Sequence, residues 1–141
     1  MCVKQISVFL ENKPGMLKKM TSVLTANNIN IRALSVADTK DFGIVRMLVD
    51  DVYETTNVLG EANFIASLTP VLVTAIPDEV GGLDKLLTYF EEAKINIEYM
   101  YAFAGKNGAY MIFRVSNTKT AEAQLTAKGL TFLSEEDMAE V

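Results

Sequence analysis

Two turns in the sequence carry backbone and side-chain groups that could hold a small charged ligand. Residues 11–15 read Glu-Asn-Lys-Pro-Gly and precede an amphipathic segment, so their backbone N–H groups lie at the start of a predicted helix. The positive end of a helix dipole suits a carboxylate. The Asn12 side-chain oxygen can accept a hydrogen bond from an ammonium group, and Gly15 permits a ligand to approach the backbone closely. Residues 77–81 form a second turn of this kind.

The same residues also suit purely structural roles. Asn12 and Asp78 belong to residue types that cap helix N-termini well. Asn30 and Asn96 follow predicted helices and can end them in a left-handed turn. Spacing alone slightly favours the capping interpretation. If the turns bind a carboxylate, the first is favoured, because the second carries the negative charges of Asp78 and Glu79.

The absence of histidine restricts the chemistry of this chain. It excludes Ser–His and Cys–His nucleophile pairs and every histidine-ligated metal site. The acidic residues 91–92 and 135–137 lie in polar segments that do not supply the apolar surroundings of an acid–base pair. No glycine-rich phosphate motif is present. We therefore predict no catalytic residue, no metal site and no cofactor, and we interpret Cys2 as a partly buried or incidental thiol.

Composition excludes further classes of partner. The net charge is −5 and no basic stripe is visible, which argues against nucleic-acid binding. No apolar run is long enough to span a bilayer, and the first residues lack the basic and apolar regions of a signal peptide. One cysteine allows no internal disulfide, as is typical of a reducing compartment. We expect a cytoplasmic protein that binds neither membrane nor nucleic acid.

The two halves of the chain repeat each other. A shift of 66 positions places Gly15 on Gly81, Leu17 on Leu83 and the Ile-Asn-Ile of residues 29–31 on residues 95–97. Two copies of this length indicate a duplicated small domain. We predict a first unit at residues 1–69 and a second at 70–141 with a short C-terminal tail. Units of this size are marginal alone, and only Thr69-Pro70 separates them, so they should be held rigidly side by side.

Alternating and helical apolar patterns predict the order βαββαβ in each unit. In the first unit, strands are predicted at residues 5–10, 29–37, 42–49 and 64–68, and a turn at 38–41. One helix is predicted from the apolar face formed by Leu17, Met20, Val23 and Leu24 and ends near residues 27–28, and a second helix is predicted at 53–62. In the second unit, strands are predicted at 71–76, 95–103, 109–115 and 130–133. One helix is predicted from the apolar face formed by Leu83, Leu86, Leu87 and Phe90, another at about 119–128, and a capped terminal helix after Ser134. The predicted class is α+β: two ferredoxin-like units with antiparallel sheets and helices on one face.

The central strands are apolar on both faces, which indicates a second sheet from another chain or from the neighbouring unit. We predict a homodimer. Arg46 and Arg114 lie on the face away from the helices and can hold a ligand carboxylate, but a buried or interface ion pair is the favoured interpretation.

The strand–Asn-x-Pro-Gly-x-Leu turn and the following Asn-Ile strand start resemble the ACT domain, a small-molecule sensor of amino-acid metabolism. The resemblance covers nearly the whole chain twice, as in a stand-alone tandem ACT protein. The turn is similar to that of the serine-sensing domain of phosphoglycerate dehydrogenase, whose pattern is His-Glu-Asn-x-Pro-Gly followed by Asn-Ile. The matching residues are Glu11, Asn12, Pro14, Gly15, Asn30 and Ile31. Leu10 and Ile76 replace the histidine.

In the serine-sensing relatives, one domain's turn and its neighbour's Asn-Ile strand share the ligand. The resemblance therefore implies that the Asn12 turn pairs with Asn96, and the Asp78 turn with Asn30. The candidate ligand-binding residues are Asn12, Lys13, Pro14, Gly15, Met16, Leu17, Asn30, Asp78, Gly81 and Asn96. A wall of Tyr99, Met100, Tyr101 and Phe103, with Leu10 and Ile76, favours an apolar or aromatic ligand. Alternatively, the tyrosines pack against the helices.

Two functional hypotheses follow. In the first, the protein is a non-catalytic sensor: a free amino acid or similar small effector binds between the units and changes contact with a separate enzyme of amino-acid metabolism. In the second, it is a constitutive assembly subunit that binds a partner enzyme and has no functional ligand site.

Overall fold

The computed structural model describes residues 2–38 and 42–141 of the chain. The chain divides into two compact units, which are residues 4–69 and residues 70–141 together with Cys2 and Val3. Most of the turn predicted at residues 38–41 lies outside the described residues, because residues 39–41 are not among them.

The first unit has the predicted βαββαβ order. Its elements are β1 (Val3–Glu11), α1 (Met16–Ala26), β2 (Ile31–Asp38), β3 (Phe42–Val49), α2 (Val52–Glu61) and the start of β4 (Ile65–Ile76). The strand order is β2-β3-β1-β4, and β1 and β2 both run antiparallel to β3. The α+β fold class is confirmed.

Alternation along β1 creates the core of the first unit. Ile6 lies opposite Met47 and Val8 opposite Val45 in the β1–β3 register, and all four side chains are buried. Helix residues at helical spacing cover them, since the core cluster also includes Met20, Leu24, Val58 and Leu59. The amphipathic pattern thus decides which sheet face the helices cover.

The second unit is built in the same way. Its elements are the end of β4, α3 (Gly82–Glu92), β5 (Ile97–Gly105), β6 (Gly108–Val115), α4 (Thr118–Ala127) and α5 (Glu135–Met138). β4 and β5 both run antiparallel to β6. The predicted hairpin is confirmed, with Gly105 paired to Gly108. The terminal helix is also confirmed, because Ser134 and Asp137 form a capping box.

Two details of the sequence prediction are wrong. The segment Thr69-Pro70 does not separate two strands, because β4 continues through it as one strand of 12 residues. The Pro70 carbonyl still accepts a hydrogen bond, from Arg114 Nη1 at 3.1 Å. Residues 130–133 form no strand. They run beside β4, where the Leu133 N–H donates to the Val73 carbonyl at 2.8 Å, but one main-chain bond of this kind does not make a ladder.

Candidate functional site

The first turn leaves the start of α1 without a side-chain cap. Gly15 is the N-cap residue, with φ 87°, and it has no side chain to donate or accept a hydrogen bond. The Lys13 N–H donates to the Glu11 carbonyl at 2.9 Å, which folds the chain back before the helix. Asn12 is exposed and lies three positions before the N-cap. The capping interpretation of Asn12 is therefore wrong.

The second turn repeats this backbone. Gly81 is the N-cap of α3, again with φ 87°, and the Glu79 N–H donates to the Pro77 carbonyl at 3.0 Å. A positive φ is easily adopted only by glycine, which explains the glycine at the same place in both turns. Asp78 is exposed and does not occupy the N-cap position, so the capping interpretation is wrong here too.

The two turns differ in charge. In the first, Lys13 Nζ lies 3.1 Å from Glu11 Oε2, so one positive and one negative charge offset each other. In the second, Asp78 and Glu79 carry negative charges, and Asp84 adds another in the first turn of α3. A carboxylate ligand is repelled by the second turn, so the charges favour the first turn as a binding loop.

In the second turn, the backbone at Gly82 lies close to the Pro77 carbonyl oxygen. A Cβ atom placed on Gly82 would lie 2.5 Å from the Pro77 carbonyl oxygen, a distance that forces the backbone to shift. We expect Gly82→Ala to lower the free energy of unfolding by about 1–3 kcal/mol, the usual cost of overpacking. Chemical denaturation measures this value.

The matched control is Gly60→Ala in α2, where an added Cβ meets no atom within 4 Å. This variant should gain about 0.4–1 kcal/mol, because alanine reduces the entropy of the unfolded chain. Equal effects of the two substitutions would contradict the close approach at Gly82.

Helices α1 to α4 end in the same left-handed way, but not at the predicted residues. The residues with positive φ that follow these four helices are Asn28, Asn63, Lys94 and Gly129. After α1, the Ile29 N–H donates back to the Leu24 carbonyl at 3.0 Å, as in a Schellman motif. Asn30 and Asn96 each lie two positions beyond this left-handed residue. The helix-ending interpretation of these two asparagines is therefore wrong.

Asn30 and Asn96 have different surroundings within their own units. The Asn30 N–H donates to Asp50 Oδ1 at 3.2 Å. Asn96 instead lines an open pocket of about 320 Å³ in the second unit. The other lining residues are Lys94, Ile95, Val115, Ser116, Asn117, Thr120, Ala121 and Gln124. Ser116 was not predicted from the sequence to line a pocket, although the shift of 66 positions aligns it with Asp50.

The predicted wall of Tyr99, Met100, Tyr101 and Phe103 is divided between the two faces of β5. Met100 lies opposite Phe113 and packs on the core beneath the helices. Tyr99, Tyr101 and Phe103 alternate with it and occupy the other sheet face, so the alternative that the tyrosines pack against the helices is wrong. Leu10, assigned to the same wall, is buried in the core of the first unit.

Arg114 forms an ion pair within its unit, which is partly exposed rather than buried as predicted. Its Nε lies 3.8 Å from Glu98 Oε1, and its Nη1 donates to the Pro70 carbonyl at 3.1 Å and to Thr118 Oγ1 at 3.3 Å. These contacts engage Nε and Nη1 of Arg114 within the unit.

Other reactive groups are few in the part of the chain that the structure describes. Burial, followed by the nearby Glu122 carboxylate, raises the pKa of the Cys2 thiol and so disfavours the reactive thiolate. Residues 2–38 and 42–141 hold no group of three or more histidine, cysteine or acidic side chains placed to bind a metal ion. Within the same ranges, none of the helices is long and apolar enough to cross a membrane.

Comparison with known proteins agrees with the repeat and the fold. The sequence matches the family described as the ACT domain pair over residues 1–141. Protein BT0572 from Bacteroides thetaiotaomicron is 37% identical, with a TM-score of 0.92 over 100% of this chain and 98% of that chain. No curated protein sequence matches.

More distant structures share the fold. The ligand-free regulatory subunit of aspartate kinase from Thermus thermophilus has a TM-score of 0.64 at 17% identity, covering 88% of each chain. The corresponding subunit from Thermus flavus has a TM-score of 0.60 at 17% identity, covering 90% of each chain. With the family match extending over its whole length, this chain belongs to the family of ACT domain pairs.

Proposed function

We propose that the protein is a non-catalytic regulator that binds a small effector between its two ACT units and thereby modulates a partner enzyme of amino-acid metabolism. The observation that carries this proposal is the first turn, where an exposed Asn12 precedes an uncapped helix start at Gly15. An uncapped helix N-terminus accepts a carboxylate, and an exposed amide oxygen accepts hydrogen bonds from an ammonium group. A free amino acid carries both groups.

The proposed site joins the first turn, residues 12–17, to Asn96. Asn96 lines a pocket in its own unit, which supports a role in holding part of the ligand. Asp78, Gly81 and Asn30 form the corresponding second set, which we propose is weaker because of its charge. The effector is proposed to be apolar or aromatic, supported by the half-buried Tyr99, Tyr101 and Phe103 on one face of β5.

The proposed assembly is a cytoplasmic homodimer that associates with a separate enzyme. The regulatory subunits of aspartate kinase provide a precedent for a separate regulatory chain with this fold. An effector shifts such a complex only through its different affinity for two arrangements of the protein. Regulation is therefore expected to require ligand-dependent stabilisation of the isolated chain or of its complex.

A thermal-shift screen of the purified protein against the twenty standard amino acids tests this function. A ligand at a hundredfold excess over Kd should stabilise the folded chain by about 2.7 kcal/mol. We expect the shift to be confined to one chemical group, apolar or aromatic. The absence of a shift with any amino acid would contradict the sensor function.

The second candidate function is a constitutive assembly subunit. It is favoured by the outer strand of the first unit, β2, where Leu34 is 40% exposed and Val36 is 51% exposed. Exposed apolar residues on an outer strand suit a partner surface. In this case Leu34→Asp should abolish capture of the partner enzyme from cell extract, and no amino acid should change the amount captured by the wild-type chain.

A further inference from the structure

Each unit presents an exposed surface made of its glycine turn and the start of the helix that follows. The two surfaces have the same backbone, because the Lys19 N–H donates to the Gly15 carbonyl and the Lys85 N–H to the Gly81 carbonyl, both at 2.9 Å. We name residues 11–19 the basic surface and residues 77–85 the acidic surface.

Both surfaces carry apolar side chains that are open to solvent. Leu17 and Leu83 align in the repeat and are 40% and 39% exposed, and Val80 of the acidic surface is fully exposed. Apolar side chains grouped on an exposed surface are typical of an interaction site. Each surface therefore has apolar area to bury against a partner.

The two surfaces differ in the sign of their charge. In the basic surface, three lysines and one glutamate give a net charge of +2. In the acidic surface, three acidic residues and one lysine give −2. The sign is reversed at aligned positions, since the shift of 66 positions places Lys13 on Glu79 and Lys18 on Asp84. These four side chains are exposed, so their charges can act on a second molecule.

This pattern of charge selects which surfaces can meet. Two basic surfaces repel each other, as do two acidic surfaces, whereas a basic and an acidic surface attract. Exposed ion pairs add little affinity, so burial of the apolar side chains supplies most of it and the charges select the partner. Each chain carries one surface of each kind. Two chains related by a twofold axis can therefore make the same contact twice.

We propose that a second copy of this chain docks its acidic surface on the basic surface of the first, and its basic surface on the acidic surface of the first. This inference rests on the proposed homodimer and goes further, because it names the surfaces that meet. Lys13 and Leu17 also belong to the proposed effector site, so dimer formation is to be measured without added amino acids.

Sedimentation velocity of the full chain over a range of concentrations tests the inference. Lys13→Glu with Lys18→Asp makes both surfaces of a chain acidic, and Glu79→Lys with Asp84→Lys makes both basic. We expect wild-type dimers, and in each double variant alone a dimer Kd raised by at least about 100-fold, because like charges then face each other. An equimolar mixture of the two variants should again form dimers, because each acidic surface then meets a basic one.

The matched control is Glu54→Lys with Glu91→Lys. It changes the net charge by the same amount as Glu79→Lys with Asp84→Lys, at exposed residues outside both surfaces. This control should keep the wild-type Kd of the dimer. Circular dichroism verifies that every variant is folded, which we expect because all the substituted side chains are exposed.

A second measurement does not depend on a variant. Raising the NaCl concentration from about 0.05 M to about 0.5 M should raise the Kd of the wild-type dimer roughly tenfold, because salt screens exposed charges. A dimer whose Kd does not rise with salt would contradict the proposed contact.

Four other results would overturn the inference: a monomeric wild type, an open series of chains instead of a pair, undiminished dimers of both folded double variants, or a mixture of these variants that stays monomeric. None of them bears on the thermal-shift screen, so the sensor function would stand. Conversely, a wild-type dimer that responds to charge reversal, in a chain that no amino acid stabilises, would support this inference and contradict the sensor function.

Discussion

Phe113→Ala is expected to lower the free energy of unfolding of the second unit by about 3–5 kcal/mol. Phe113 is fully buried on β6, and its ring centroid lies 4.6 Å from that of Phe90 on α3. Truncation removes this ring contact and leaves a cavity between sheet and helices. A domain stable by only about 5–15 kcal/mol loses a large part of its stability in this way.

Denaturant unfolding monitored by tyrosine fluorescence measures this effect, because four of the five tyrosines lie in residues 70–141. The matched variant is Met47→Ala, since Met47 takes the place of Phe113 in the repeat and is also fully buried. We expect it to cost about 2–5 kcal/mol, detected by far-ultraviolet circular dichroism. A loss under 1 kcal/mol for Phe113→Ala would contradict the described packing of the second core.

Asn12→Ala is expected to remove most of the stabilisation by the effector while leaving the unliganded protein intact. Asn12 is exposed and does not cap α1, so its truncation should change the free energy of unfolding by less than about 0.5 kcal/mol. Loss of its hydrogen bond to the ligand's ammonium group should raise Kd roughly 10- to 100-fold. At the concentration that stabilises the wild type by about 2.7 kcal/mol, the variant should gain only about 0.4–1.4 kcal/mol.

Thermal unfolding with and without the amino acid selected in the screen measures this difference. Asn107→Ala provides the matched control, because it makes the same substitution at an exposed residue of the β5–β6 hairpin. This control should keep the full ligand stabilisation. A destabilised Asn12→Ala protein that still gains as much from ligand as the wild type would assign Asn12 a structural role.

Much of the fold could be predicted from sequence because it depends on local patterns and on repetition. Alternation in residues 5–10 and helical spacing in residues 17–24 identify β1 and α1, whose buried faces include Ile6, Val8, Met20 and Leu24. The repeat extends these assignments to the second unit. The prediction of residues 130–133 was wrong because a strand requires a partner ladder, and the apolar character of Leu130 and Leu133 does not provide one.

The residue types of the candidate site could be predicted from the sequence, but the roles of its side chains at the helix ends could not. The glycines of both turns were found from sequence, since the turn chemistry and the repeat place them together. The roles of Asn12, Asp78, Asn30 and Asn96 in capping or ending helices were left open, and the structure excludes them. Capping depends on where a helix begins and ends to within one residue, which spacing does not specify.

By itself, the sequence determined the duplication, the βαββαβ order, the two glycine turns and the difference in their charge, because these follow from residue types and local periodicity. Only the tertiary structure decided that Asp50 reaches the Asn30 N–H while Ser116 is held by Glu98. These contacts join residues that are 20 and 18 positions apart in the chain. They form because antiparallel pairing of the strands brings the start of one strand beside the end of the next, which a pattern of residue types along the chain does not specify.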